Sequence, residues 1–390
     1  MAVADAYGLR VYRMLFAVAV GAVICALALT ACTRQQASTA AVPSPTARIV
    51  VPGVATDEAR TPSRSYGMGF FVQASRPTVP AVLEWVQQVI KVSDHVMIQR
   101  PVPWTRIGAG DSYEKIIAED FTGLVNLLRG SGLKLVLLVD PLDGLHRTQE
   151  PPEAIKNGRT LKDPATRAIH EAWVLALVSA FKPAYIGLAS EINTIRATGD
   201  RELYEIIRDM CNRLAPQIRQ LSPSSRIFVS FQVDNAWQLP PWPKSDVDQF
   251  ALTREFDVDV VGLSSYPGFS FSSPAEIPID YFRRFQVASG KPLLMAEGGW
   301  GSAGGPNNSP ANQAAYYQRM FDLLEGVQAE LAILLLYQDL DLSEPGWGFT
   351  PDQVSILTHF ASMGMVEITG ALKPVHAVWE ERFQRALAPP

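Results

Sequence analysis

The sequence predicts an α/β chain folded as a single (β/α)8 TIM barrel, and three observations lead there. Eight short apolar runs alternate with amphipathic helical stretches from Tyr66 to the end of the chain. Several of the runs are apolar almost without interruption, as parallel strands covered on both faces must be. No glycine-rich phosphate loop follows any of the first runs, which weighs against the alternative of an open, doubly wound sheet.

The predicted strands are 67–72, 95–100, 133–139, 184–190, 226–232, 258–264, 292–297 and 331–337. Helices fall between them. Ile169, Ala172, Trp173, Ala176, Leu177 and Ala180 recur with the spacing of one helical face, as do Tyr204, Ile207, Met210, Cys211 and Leu214. Ser309-Pro310 supplies an N-cap and a first-turn proline for a helix reaching about Val327. A last helix is predicted near 374–387. No internal repeat and no second folded domain is visible, so residues 65–390 read as one catalytic-type domain.

In such a barrel the chemistry sits where strands end at the C-terminal mouth. The fourth predicted strand runs into Ser190-Glu191-Ile192-Asn193 and the seventh ends in Glu297. A carboxylate closing an apolar run is costly to place unless it is paired or lies in a cleft. Glutamates after strands four and seven would face each other across the mouth. Two carboxyls about 5–5.5 Å apart suit retaining glycoside hydrolysis, one as proton donor and the other as nucleophile. The competing reading of Glu191 is an ion pair with Arg196 or Arg100.

With these residues in place the chain resembles the clan A retaining glycoside hydrolases. In that clan the acid/base glutamate follows strand four and the nucleophile follows strand seven. The resemblance implies Glu191 as acid/base and Glu297 as nucleophile. The run V-D-V-V-G-L-S-S-Y-P-G-F, Val258 to Phe269, resembles the strand-six segment of family 53 galactanases, and mannanase-like enzymes are also close in pattern. It implies that Tyr266 bonds the nucleophile. The segment from Gly364 to Trp379 is similar to the end of these enzymes. Arg100 would pair with the nucleophile, as a strand-two arginine does in some members. Two positions depart from the pattern. Ser190 stands where many members have asparagine, with Asn193 beyond the glutamate as a substitute sugar ligand. Tyr337, followed by Gln338 and Asp339, stands where many carry a tryptophan platform.

Aromatic faces suit the C–H faces of sugar rings. Trp300, directly after Glu297-Gly298-Gly299, and Trp104 are the expected platforms, with Trp237, Trp242 and Trp347 as further candidates. Trp85, Trp173 and Trp379 lie on predicted helices and belong to the core. Asp140 is either a subsite residue or a cap before Pro141. The five histidines show no metal-ligand spacing, no G-x-S-x-G elbow is present, and no cofactor is expected.

The N-terminus carries a separate message. Arg10 and Arg13 precede an apolar run from Leu15 to Ala31 that ends in L-T-A-C. This is the pattern of a secretory signal. It resembles a bacterial lipobox, which implies lipidation of Cys32 after removal of residues 1–31. An uncleaved membrane anchor is the alternative. Residues 32–64 are rich in Ala, Ser, Thr and Pro and read as a flexible tether. The expectation is a membrane-anchored, extracytoplasmic lipoprotein. Cys211 is then the one cysteine left in the domain, a core thiol on a helical face. The net charge of −5 and the absence of a basic stripe weigh against nucleic acid. The expected partner is an oligo- or polysaccharide. A glycan-binding lipoprotein without activity and an envelope transglycosylase are the alternatives.

Overall fold

The computed structural model describes residues 63–388. Eight parallel strands close into a barrel in chain order: β1 (Gly67–Phe71), β2 (His95–Gln99), β3 (Lys134–Leu138), β4 (Tyr185–Gly187), β5 (Arg226–Gln232), β6 (Val260–Ser265), β7 (Leu293–Gly298) and β8 (Ala329–Leu334). Pairing of Gly67 with Leu331 and of Phe70 with Leu334 joins the first strand to the last. The predicted barrel is therefore present, and each predicted strand has its counterpart.

The alternation of side chains explains the two layers of core. In β3, Val136 and Leu138 turn inward to join Met97, Phe228, Leu294 and Ile333 in the barrel interior. Leu135 and Leu137 turn outward against the surrounding helices. Phe228 fills the interior only because two neighbours are glycine. A methyl group on Gly187 would stand 2.5 Å from the Phe228 ring, and one on Gly262 would stand 3.0 Å from it.

The helices form where caps and periodicity place them. Pro164–Phe181 starts at Asp163, whose carboxylate accepts from the Ala165 N–H at 3.0 Å. Arg201–Leu221 buries Tyr204, Ile207, Met210, Cys211 and Leu214, the predicted face. Cys211 is a buried free thiol. Ser309 caps Pro310–Glu325 by accepting from the Asn312 N–H at 3.0 Å. The closing helix, Pro374–Gln384, carries Trp379 against Phe70 with ring centres 4.7 Å apart. Trp85, Trp173 and Trp379 are fully buried, as expected for core residues.

Most strand ends move by a residue or two, and three differences have structural consequences. β4 ends at Gly187, three residues before the predicted end, because the chain must turn there to present Glu191. β8 ends at Leu334 rather than Tyr337. Arg64, read as the end of the tether, belongs to the fold. It exchanges backbone hydrogen bonds with Ala386 and Ala388 and pairs with Asp94 at 2.7 Å. Among the described residues no helix is long and apolar enough to cross a membrane. The signal-like run, Cys32 and the tether up to residue 62 lie outside the described residues.

Candidate active site

A cleft of about 790 Å3 opens at the C-terminal mouth of the barrel. Glu191 and Glu297 both line it, together with Asp140, Arg147, Gln232 and Tyr266. A second cavity of about 420 Å3 adjoins it and shares Gln73, Arg100 and Phe349 among its walls.

Glu191 reaches the cleft through an unusual backbone. Its φ is +48°, a left-handed conformation that costs a non-glycine residue about 1–3 kcal/mol. Neighbouring bonds hold it there. Its N–H donates to Ser230 Oγ at 3.0 Å, the Ile192 N–H donates to the Ser230 carbonyl at 3.0 Å, and the Thr194 N–H donates to the Glu191 carbonyl at 2.9 Å. Glu297 lies within β7, where the pairing with β6 slips by one residue (Met295 opposite Leu263, Glu297 opposite Ser264) and so brings Glu297 beside Ser264 at the mouth.

The two carboxyls meet at one hydroxyl. Ser264 Oγ, on β6, lies 2.9 Å from Glu297 Oε1 and is also hydrogen-bonded to Glu191 Oε1. One hydroxyl reaches two carboxyl oxygens only when these lie within about two hydrogen-bond lengths, roughly 5.5 Å. That matches a retaining pair and is too close for an inverting one.

One cation balances three acids. Arg147 Nε is 3.5 Å from Glu191 Oε2, its Nη2 is 3.5 Å from Glu297 Oε2, and its Nη1 binds Asp140 Oδ2. Burial works against the guanidinium charge, but Glu297, Asp140 and Glu191 outweigh it and raise its pKa above the ordinary value. Burial and the neighbouring charge of Glu297 push Glu191 up to about 8, against the pull of Arg147. Burial likewise raises Asp140, to about 6. The site can therefore hold a protonated Glu191 at neutral pH. Burial, then the charges of Glu297 and Glu191, push Tyr266 well above its usual value, so its phenol stays protonated.

A buried polar layer fixes these groups from below. Asp234, fully buried, accepts from the Tyr266 N–H at 3.1 Å, from Gln232 Nε2 at 3.1 Å and from the Tyr281 hydroxyl.

The structure sorts the residues expected from sequence. Glu191, Glu297, Tyr266 and Asp140 come together in the cleft, and Asp140 serves Arg147 rather than capping alone; it also accepts from the Leu142 N–H at 3.2 Å. Arg100 is exposed on the cleft wall, shared by both cavities, and the guanidinium paired with Glu297 is that of Arg147. Trp300, Trp104, Tyr337, Gln338 and Asn193 are corrections. Trp300 is fully buried, donates from Nε1 to the Asn307 carbonyl at 3.1 Å and packs on Tyr316. The chain bends after β7 and turns this ring into the core. Trp104 is buried on a short helix and lines neither cavity. Tyr337 packs edge-on against Phe70 because β8 ends earlier than predicted, and Leu335 takes the place at the mouth. Gln338 donates to the Glu367 carbonyl at 3.0 Å, away from the cleft. Asn193 is fully buried and its amide is committed. Nδ2 donates to the Gln232 carbonyl at 2.9 Å and to Gln249 Oε1 at 2.7 Å, and Oδ1 accepts from the Gln232 N–H at 2.7 Å. Trp242 lines the main cleft and Trp347 the adjoining one, stacked on Phe349 at 5.3 Å.

Sequence reasoning missed Arg147 and gave Ser264 no role. Arg147 stands seven residues beyond Asp140 in a loop without periodicity. The one available signal was the need for a cation near several buried acids. Among the described residues no group of three or more His, Cys, Asp or Glu side chains is placed to hold a metal ion.

No protein-family profile matches the sequence, and no curated protein matches it in sequence. Solved structures do resemble it. A GH5_18 enzyme variant from Bifidobacterium longum in complex with Manβ1-4GlcNAc is 12% identical, with a TM-score of 0.62 over 83% of this chain and 80% of that one. An exo-β-1,4-mannosidase from an Opitutaceae bacterium is 16% identical, with a TM-score of 0.59 over 84% and 61%. A psychrophilic family 10 endo-β-1,4-xylanase is 12% identical, with a TM-score of 0.55 over 81% and 96%. At these identities the shared property is the fold: this chain is a single (β/α)8 barrel of the architecture that those glycoside hydrolases use.

Proposed function

We propose that the protein is a retaining glycoside hydrolase acting on a β-linked glycan, with Glu297 as nucleophile and Glu191 as acid/base. The observation that carries this is the single Ser264 hydroxyl reaching both carboxyls. In the first step Glu297 attacks the anomeric carbon while Glu191 gives its proton to the departing glycosidic oxygen. A glycosyl ester on Glu297 results. In the second step Glu191, now ionised, takes a proton from water, and the water oxygen displaces the Glu297 carboxylate. Arg147 supports the charge that returns to the nucleophile, and Tyr266 supplies a protonated hydroxyl beside it. The burial that raises Glu191 suits a proton donor at neutral pH. The β-linkage is favoured by the solved enzymes that share the fold, a mannosidase and a xylanase among them. The lipobox-like L-T-A-C supports anchoring outside the cytoplasm through Cys32.

The test is hydrolysis of a panel of aryl β-glycosides and β-glycans by the wild type, Glu191→Gln and Glu297→Gln. Cleavage by the wild type, lost by several orders of magnitude in both variants, is the expected result. A glycan that binds wild type and both variants alike, with none of the panel cleaved, replaces the hydrolase with a glycan-binding protein. Transfer to added alcohol in place of water identifies a transglycosylase.

A further inference from the structure

One side of the cleft beside the carboxyl pair is apolar, in contrast to the part of the lining that carries Gln73, Gln99, Arg100 and Trp242. Much of the apolar side comes from one helix, Pro351–Thr358, none of whose residues is buried. Ile356 and Leu357 are half-buried and line the cleft, as does Gln353. Gln353 Oε1 is engaged, accepting from the Thr350 N–H at 3.0 Å in the capping box. The facing loop after β3 adds Leu142 and Leu145. His146 in that loop is 3.2 Å from Asp352, which ties the two walls together. Phe360 continues the wall and packs edge-on against Tyr266 at 5.1 Å, so the apolar surface runs up to the carboxyls.

Sugar hydroxyls placed on such a wall would lose their water and find no partner. Leu142, Leu145, Ile356 and Leu357 also lack the flat face on which a pyranose stacks, and Phe360 is committed edge-on with Tyr266. An apolar chain has neither difficulty. The cleft, at about 790 Å3, lies in the upper part of the size range of ligand pockets, which leaves room beyond one sugar.

We propose that the substrate is a glycolipid-like β-glycoside: the sugar sits among Asp140, Arg147, Glu191 and Glu297, and an alkyl or prenyl aglycone lies along Leu145, Ile356, Leu357 and Phe360. The sugar end of this assignment rests on the hydrolase reading above. The aglycone end rests on the wall itself. The lipobox-like N-terminus supports it, because a lipid-tethered barrel works beside the membrane in which such substrates are held.

The experiment is calorimetric binding of n-alkyl β-glucosides of four to nine carbons, each below its micelle concentration, to Glu297→Gln of the chain from Thr33 onward. Affinity rises roughly two- to four-fold per methylene, the signature of burial of the chain. In the same protein carrying Ile356→Ser and Leu357→Ser, the dependence on chain length flattens, and the helix has no buried residue whose loss would unfold the barrel. Affinity independent of chain length, or a slope unchanged by the serine pair, overturns the proposal. Binding breaks no bond, so the result is separate from the hydrolysis panel. A steep slope with no cleaved glycoside sinks the hydrolase and leaves an apolar-chain site. A cleaved aryl glycoside with a flat slope sinks the glycolipid and leaves the hydrolase.

Discussion

Ser264 and Glu191 are hydrogen-bonded across the barrel mouth, although 73 residues separate them in the chain. The same Ser264 oxygen lies 2.9 Å from Glu297. A hydroxyl has one proton and donates to one carboxylate at a time. Both contacts are satisfied together when Glu191 carries a proton and donates to Ser264, which donates to Glu297. The bridge therefore holds one proton between the two carboxyls, and burial together with the charge of Glu297 places it on Glu191. Ser264→Ala removes it with little change in volume. The expected result is a fall in kcat of roughly 10- to 100-fold and a displaced alkaline limb in the pH profile, measured on whichever aryl glycoside the panel identifies.

The wild-type profile itself is a second expectation. In the proposed mechanism Glu191 must be protonated to act in the first step. Its pKa near 8 predicts that kcat/KM is retained through neutral pH and declines as pH rises through about 8. A decline centred near pH 4 to 5 would assign an ordinary carboxyl to the role.

The same shift has a consequence for stability, with a definite sign. The folded-state pKa of Glu191 lies above the ordinary carboxyl value, so between about 4.5 and 8 the unfolded chain has released a proton that the folded protein keeps. Folding is then increasingly disfavoured as pH rises through that window. Glu191→Gln should raise the melting temperature at pH 8 and change it little at pH 4. Equal shifts at both pH values would show that packing rather than ionisation is responsible.

Arg147 offsets three acids at once. Arg147→Ala leaves Asp140, Glu191 and Glu297 without their cation, and removal of one partner from such a buried group costs about 3–5 kcal/mol. Denaturant unfolding at pH 7 should show a loss of that order. The loss should shrink as pH falls through about 6, where Asp140 takes up a proton. Activity should fall by roughly 100-fold or more as the charge of Glu297, the proposed nucleophile, loses its support.

Trp300 and Asn193 separate a structural role from sugar binding. Trp300→Ala should cost about 3–5 kcal/mol, as expected for a fully buried indole. Asn193→Ala should cost about 2–3 kcal/mol by stripping buried partners from Gln232 and Gln249. Normal stability with a raised KM in either variant would return that residue to the sugar site.

The sequence by itself determined the order of eight strands, the buried faces of two helices, the cap at Ser309 and the two glutamates at the mouth. These are legible because side-chain periodicity is local and because a carboxylate closing an apolar strand stands out against its neighbours. Tertiary structure decided the rest. Whether Trp300 and Tyr337 face the cleft or the core depends on where β7 and β8 end and on how the chain bends afterward, and the last pairings of a strand are set by its neighbours. Arg147 and Ser264 acquire their roles only when the barrel closes and brings the ends of β3, β4, β6 and β7 to one point. The pKa of Glu191 depends on burial and on a charge contributed by a residue more than a hundred positions away, and neither is a property of its own sequence.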